Sequence, residues 1–179
     1  VRRGFRRLVV AVSTVYLLAF LSIYTRPHTI VAASEWFHQN VAPGARVLSQ
    51  DWDEGFPFSL PDRPAERFRV VNLSFYEPDG PSKTRQLAAQ LSSGEILVLQ
   101  TKRLYGAATQ ASGKFPDTDR LFRLLFSGDL GYTLVRTFSS PPQLLGVKLP
   151  SELADESFSV YDHPKAVVFR NADRLGAQE

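Results

Sequence analysis

Seven consecutive residues, Asp51-Trp52-Asp53-Glu54-Gly55-Phe56-Pro57, hold three carboxylates, a tryptophan and a phenylalanine. Oxygen ligands of this kind could hold a hard cation, or divide into a proton donor and a proton acceptor. The spacing is not that of a calcium loop. An Asp followed by Trp at the end of a strand also suits a loop that caps itself and anchors on a core. The balance favours a shaped loop, with Trp52 and Phe56 as anchors and Pro57 as stiffener. A second polar group, Lys102, Arg103 and Tyr105, follows an apolar strand, and Asp79 follows another. Ligands of α/β sheets bind beyond the carboxyl ends of such strands. Asp51, Trp52, Asp53, Asp79, Lys102, Arg103 and Tyr105 are therefore the candidate rim of one crevice. On that rim Trp52 and Tyr105 would offer aromatic faces and Asp53 a carboxylate. The competing reading is a set of solvated loop charges that pair among themselves.

Other chemistry is poorly represented. His28, His38 and His163 are too scattered for a metal set, there is no cysteine, and no Gly-x-Ser-x-Gly elbow or phosphate-binding glycine loop occurs. Asn72-Leu73-Ser74 matches a glycosylation acceptor but falls inside an expected strand. No cofactor is expected in the chain itself, and no catalytic residue.

The elements that would position these residues can be read from period and punctuation. Residues 29–41 have helical spacing, and Thr29 can cap them. Pro43-Gly44 stops that helix, and Arg46–Gln50 follows as a strand. Trp36 and Phe37 cover the core or touch headgroups. Phe68–Glu77 and Glu95–Thr101 are apolar strands around a helix from Pro81 to Ser93, with Leu87, Ala88 and Leu91 on its inner face. That is a βαβ unit, which belongs in a sheet covered on both sides. Residues 102–118 read as a polar excursion. A helix follows, capped by Asp117 or Thr118, with Leu121, Leu124 and Leu125 inward and Gly128 or Gly131 at its end. Tyr132–Ser140 alternates as a half-buried strand, and Pro141–Pro150 reads as an extended edge piece. Phe158–Tyr161 and Ala166–Arg170 pair as a hairpin about Asp162-His163-Pro164. The fold class is α/β: an N-terminal transmembrane helix, then a small mixed α/β sandwich with a βαβ core and a C-terminal antiparallel hairpin.

The transmembrane assignment rests on the first 26 residues. Arg2, Arg3, Arg6 and Arg7 precede Leu8–Tyr24, which carries no charge. Seventeen helical residues rise about 25 Å, the short end of what crosses a hydrocarbon core of about 30 Å. A signal peptide lacks its small-residue cleavage site here, and a buried core helix is seldom apolar on all faces. Only Arg26 follows the run, so the positive-inside rule places the N-terminus in the cytoplasm and residues 27–179 outside. Taking the five flanking arginines from 21 Lys+Arg leaves 16 against 18 Asp+Glu. The basic balance thus belongs to the membrane flank, and nothing is left to argue for nucleic acid. The divisions are 1–26, membrane helix with basic flank; 27–172, extracytoplasmic α/β domain; and 173–179, polar tail. With Val first and no Met anywhere, the chain reads as a piece of something longer.

Several stretches together resemble one family. They are Trp36, Asn40, Pro43 and Gly44; Trp52, Asp53 and Pro57; Asp79 and Lys83; Arg103 and Tyr105; and Phe158-x-Val160-Tyr161-Asp162-His163-Pro164. Thr101 stands where Ser is usual. Residues 29–171 are similar to the C-terminal extracytoplasmic tail of polytopic dolichyl/polyprenyl-phosphate-mannose-type (family C) glycosyltransferase-like membrane proteins. That group includes the related YYY membrane proteins of Chloroflexi and archaea. The resemblance implies a bacterial or archaeal cell-membrane parent that transfers a sugar from a lipid-phosphate-linked donor. The family's catalytic acid lies in an early external loop outside this chain, so this part would seat substrate or cover the site. Its implied partners are the membrane, the rest of the parent, and a glycan or lipid-linked sugar. A membrane-tethered binding or assembly module is the alternative, and a free-standing hydrolase using Asp51, Asp53 and Glu54 is a third reading.

Overall fold

The computed structural model describes residues 2–50, 55–110, 113–151 and 154–172. The arginine-flanked run forms α1 (Arg2–Leu21), continued by a 3-10 turn at Ser22–Thr25. Its apolar side chains stay uncovered over most of its length: Leu8, Val12 and Leu17 are all more than half exposed. Only at its base does protein cover it, at Ala19 and Ile23. α1 is thus long and apolar enough to cross a membrane.

α2 (Thr29–Asn40) follows and is capped by His28, whose Nδ1 accepts from the Ile30 amide at 3.3 Å. The expected cap, Thr29, is already the first helical residue. β1 (Arg46–Gln50), β2 (Arg69–Leu73), α3 (Pro81–Ser93), β3 (Ile96–Leu99), α4 (Arg103–Gln110), α5 (Pro116–Ser127), β4 (Tyr132–Phe138) and β7 (Ala166–Asn171) complete the domain, with a small hairpin of β5 (Gln143–Leu144) and β6 (Val147–Lys148) between the last two. The sheet order is β2-β1-β3-β7-β4. β2, β1 and β3 are parallel, and β7 runs antiparallel to both β3 and β4. The β2–α3–β3 crossover therefore steps over β1.

Alternation along the central strands divides two cores. Leu48, Leu97, Leu99, Val167 and Phe169 face α3, α4 and α5, where Leu87, Leu91, Phe122 and Leu125 meet them. Val47, Ile96, Val98 and Val168 face α2, where Phe37 is fully buried against Phe56 and Phe68 at ring distances of 5.2 and 5.0 Å. The result is a three-layer α/β/α sandwich, in the expected class.

Four local expectations are corrected. The polar excursion after Lys102 contains α4, which buries Leu104 and lays Tyr105 on Phe126. Residues 158–161 form no strand: Asp155 accepts from the Ser157 amide and starts a 3-10 turn instead. The hairpin is formed by the piece read as an extended edge, at Gln143–Lys148. Ala88 is exposed, while Lys83 joins Leu87 and Leu91 on the inner face of α3.

Candidate functional site

The carboxyl ends of β1, β2 and β3, the end of β4 and the start of β7 all lie on one edge of the sheet. A cleft of about 1110 Å³ opens there, lined by α4, by Ser139–Pro141 after β4, by Lys148–Ser151 after the hairpin, and by the 154–165 segment before β7. Beneath this edge sits a buried polar layer. Gln100 Nε2 donates to Ser49 Oγ at 2.9 Å, and Gln50 Nε2 donates to Thr101 Oγ1 at 3.2 Å. These contacts tie the ends of β1 and β3 together below the loops.

Three of the seven expected rim residues line the cleft: Lys102, Arg103 and Tyr105. Lys102 Nζ donates to the Ala154 carbonyl, and Arg103 Nε lies 3.2 Å from Glu156 Oε2 in a half-buried ion pair. Both cations pin the far wall to α4. Tyr105 turns its ring into an aromatic group, 5.0 Å from Phe126 and 6.2 Å from Phe122, which leaves less of it to receive a sugar. Asp51, Trp52 and Asp53 lie outside the described residues. Phe56, the other expected anchor of that loop, is buried against Phe37.

Asp79 is placed elsewhere, in a dent between α3 and α5 shared with Lys83, Thr118 and Leu121. Its Oδ2 accepts the amides of Asp117 and Thr118 at 2.8 and 3.1 Å, capping α5 from a distant loop. Lys83 Nζ is buried and donates to Phe75 O, Glu77 O, Thr118 Oγ1 and Asp79 Oδ1, at 2.7, 2.7, 2.7 and 3.0 Å. Burial pushes the Asp79 carboxyl up, but hydrogen bonds from Thr118, Lys83 and the Thr118 and Asp117 amides outweigh it and hold it at about 2. Here Asp79 clamps the β2–α3 loop to α5.

The cleft recruits residues that the sequence did not single out, Ser139, Ser140, Lys148, Ser157, Ser159 and Lys165, together with His163 of the Asp-His-Pro turn. Three of the lining groups carry buried polar atoms without a hydrogen-bond partner: Ser140 Oγ, Glu156 Oε1 and both ring nitrogens of His163. His163 is wedged between Phe20 of α1 and Phe158, at ring distances of 6.1 and 5.3 Å. Burial there lowers its pKa, and the nearby Asp162 charge opposes this only in part. Unmet buried atoms also lie away from the cleft, at Thr29, His38, Arg46 and Gln90, and those on the cleft can be met by water or by a ligand. The only signals in the sequence were the Ser-Ser-Pro-Pro run after β4 and the Asp-His-Pro turn.

The cleft also adjoins the base of α1. Tyr24 Oη donates to Asp162 Oδ1 at 2.7 Å, Arg26 donates to Pro141 O at 2.6 Å, and Ser22 Oγ accepts the Gln143 amide at 2.9 Å. His28 Nδ1 is an acceptor, so its Nε2 carries the proton and donates to Tyr161 O at 3.0 Å. The wall of the cleft and the foot of α1 are thus one packed unit. Among the described residues, no group of three His, Asp or Glu side chains is placed to hold a metal ion. No protein-family model, curated protein or solved structure matches the chain.

Proposed function

We propose that this chain is a membrane helix and C-terminal extracytoplasmic domain of a polytopic glycosyltransferase-like protein, and that the cleft seats the phosphate-bearing end of a polyprenyl-phosphate-linked sugar. The catalytic acid lies in another part of the parent. The observation that carries this reading is the combination of unmet polar atoms and charge in one cleft beside the foot of α1. Lys102, Arg103, Lys148 and Lys165 line it against Asp155 and Glu156, and hydroxyls come from Ser139, Ser140, Ser157 and Ser159. A phosphate suits the cations, and sugar hydroxyls suit the serines, Glu156 Oε1 and His163. A ligand carried on a lipid tail would reach the site from the bilayer beside α1. The excess of arginines in the first turns of α1 supports an outward-facing domain.

The test is a titration of the full chain in nanodiscs with polyprenyl phosphate. Lys148→Glu combined with Lys165→Glu should weaken binding by about tenfold or more at low salt, some 1.4 kcal/mol, and added salt should shrink the difference. Unchanged binding in the folded double variant defeats the proposal. So does an unchanged KM for donor in the parent carrying the same changes. A glycan lacking phosphate that binds the wild type equally well favours the second reading, a tethered binding module.

A further inference from the structure

The β5–β6 hairpin turns at Leu145 and Gly146, with φ of 50° and 83°. Both central residues are left-handed, as in a two-residue hairpin turn that ordinarily takes Asn-Gly. Leu145 is a poor choice twice over. A branched side chain in the left-handed region is disfavoured, and this one is 96% exposed. Val147, next to it, is 66% exposed. A leucine that satisfies neither backbone nor water needs a third environment.

The position of the hairpin supplies one. β5 packs against the last turns of α1 and the 3-10 turn below them, held by the Gln143–Ser22 bond. Protein covers α1 as high as Ala19, which is fully buried. Leu21 is still 48% exposed, so the apolar run left uncovered, Leu8–Leu21, rises about 20 Å. A hydrocarbon core is about 30 Å thick. A helix this short can cross only if the elements packed on its foot lie within the boundary layer of the bilayer. Tyr24 and Tyr161, 61% and 79% exposed, ring the same foot and are of the type that settles at headgroup level. Lys148 follows Val147 and is exposed.

We propose that the Leu145–Gly146 tip, with Val147, inserts into the headgroup–acyl boundary beside α1 and fixes the domain against the membrane at a second point. The proposal rests on α1 crossing a bilayer and not on the ligand of the cleft. The chain has no cysteine, so single cysteines can carry an environment-sensitive fluorophore. The full chain is reconstituted in phosphatidylcholine vesicles, with and without spin-labelled lipid, bearing the probe at Leu145→Cys, Val12→Cys or Ser92→Cys. The expected result is blue-shifted emission with lipid quenching at positions 145 and 12, and neither at 92. With the probe moved to Val147→Cys, adding Leu145→Asn should abolish quenching. The folded domain stays intact, because asparagine suits the left-handed turn. A probe at 145 that behaves as at 92 while 12 is quenched overturns the proposal and leaves the cleft reading standing. A shift at 145 that depends on protein density and not on lipid quencher also overturns it, assigning the tip to a second copy. No quenching at 12 removes the shared premise of both.

Discussion

Separating Lys83 from Asp79 tests whether the Asp79 node is a clamp or a ligand site. Lys83→Met keeps the length of the side chain but leaves Phe75 O, Glu77 O and Thr118 Oγ1 without their donor, and Asp79 without its counter-charge. Breaking a buried ion pair by removing one partner costs about 3–5 kcal/mol. Asp79→Asn keeps an oxygen for the α5 amides but turns an amide group toward the Lys83 ammonium, so the loss should be about 2–4 kcal/mol. The double variant should lose less than the two single losses together, because neither buried charge is then stranded. The acid limb gives an independent check. An Asp79 carboxyl held at about 2 in the fold, against its ordinary 3.8, binds protons later than in the unfolded chain. Its contribution, on the order of 2 kcal/mol, is complete above pH 4 and is lost as pH falls toward 2. Asp79→Asn should therefore flatten stability against pH between 4 and 2. The assay is urea unfolding of the full chain in detergent, followed by tryptophan fluorescence at several pH values. Additive single-variant losses and an unchanged acid limb would refute the clamp.

Gly94 has no room for a side chain. A Cβ there would overlap Leu48 and come within 2.9 Å of Tyr132 Oη, which bonds Leu91 O. Gly94→Ala should lower the unfolding midpoint by an amount equivalent to about 1–3 kcal/mol in the same assay. His163 stays neutral in its aromatic wedge, with its pKa lowered by burial. Stability linked to it is whole above the ordinary histidine value and falls as pH drops below it. His163→Phe should remove that fall and keep or raise stability, while weakening polyprenyl-phosphate binding in nanodiscs. Retained binding would separate His163 from the cleft's role.

Legibility in the sequence followed punctuation. β1 and α3 have the bounds expected of them because Pro43-Gly44, Pro81 and Gly94 mark their limits. α4 is only eight residues long, interrupted by Gly106, and is held by Leu104 and Tyr105 packing on elements far along the chain. No local signal encodes that. The hairpin escaped notice because Leu145-Gly146 is not a turn pair that composition announces. The strand expected at 158–161 had the right alternation, but Asp155 captured the Ser157 amide first. Of the site, the position at the strand ends was readable from βαβ logic. The separation of Asp79 from Arg103 was not, because it depends on which loop caps α5.

The hydrogen bonds at the foot of α1 come from three stretches far apart in sequence, at Pro141, Gln143 and Tyr161–Asp162. A helix joined to its domain through a flexible stalk lets the domain wander. Here residues 22–28 bond directly to the domain, so a tilt or rotation of α1 would carry the globular part with it. With α1 crossing a bilayer as proposed, any neighbour that turned it would thereby re-aim the mouth of the cleft.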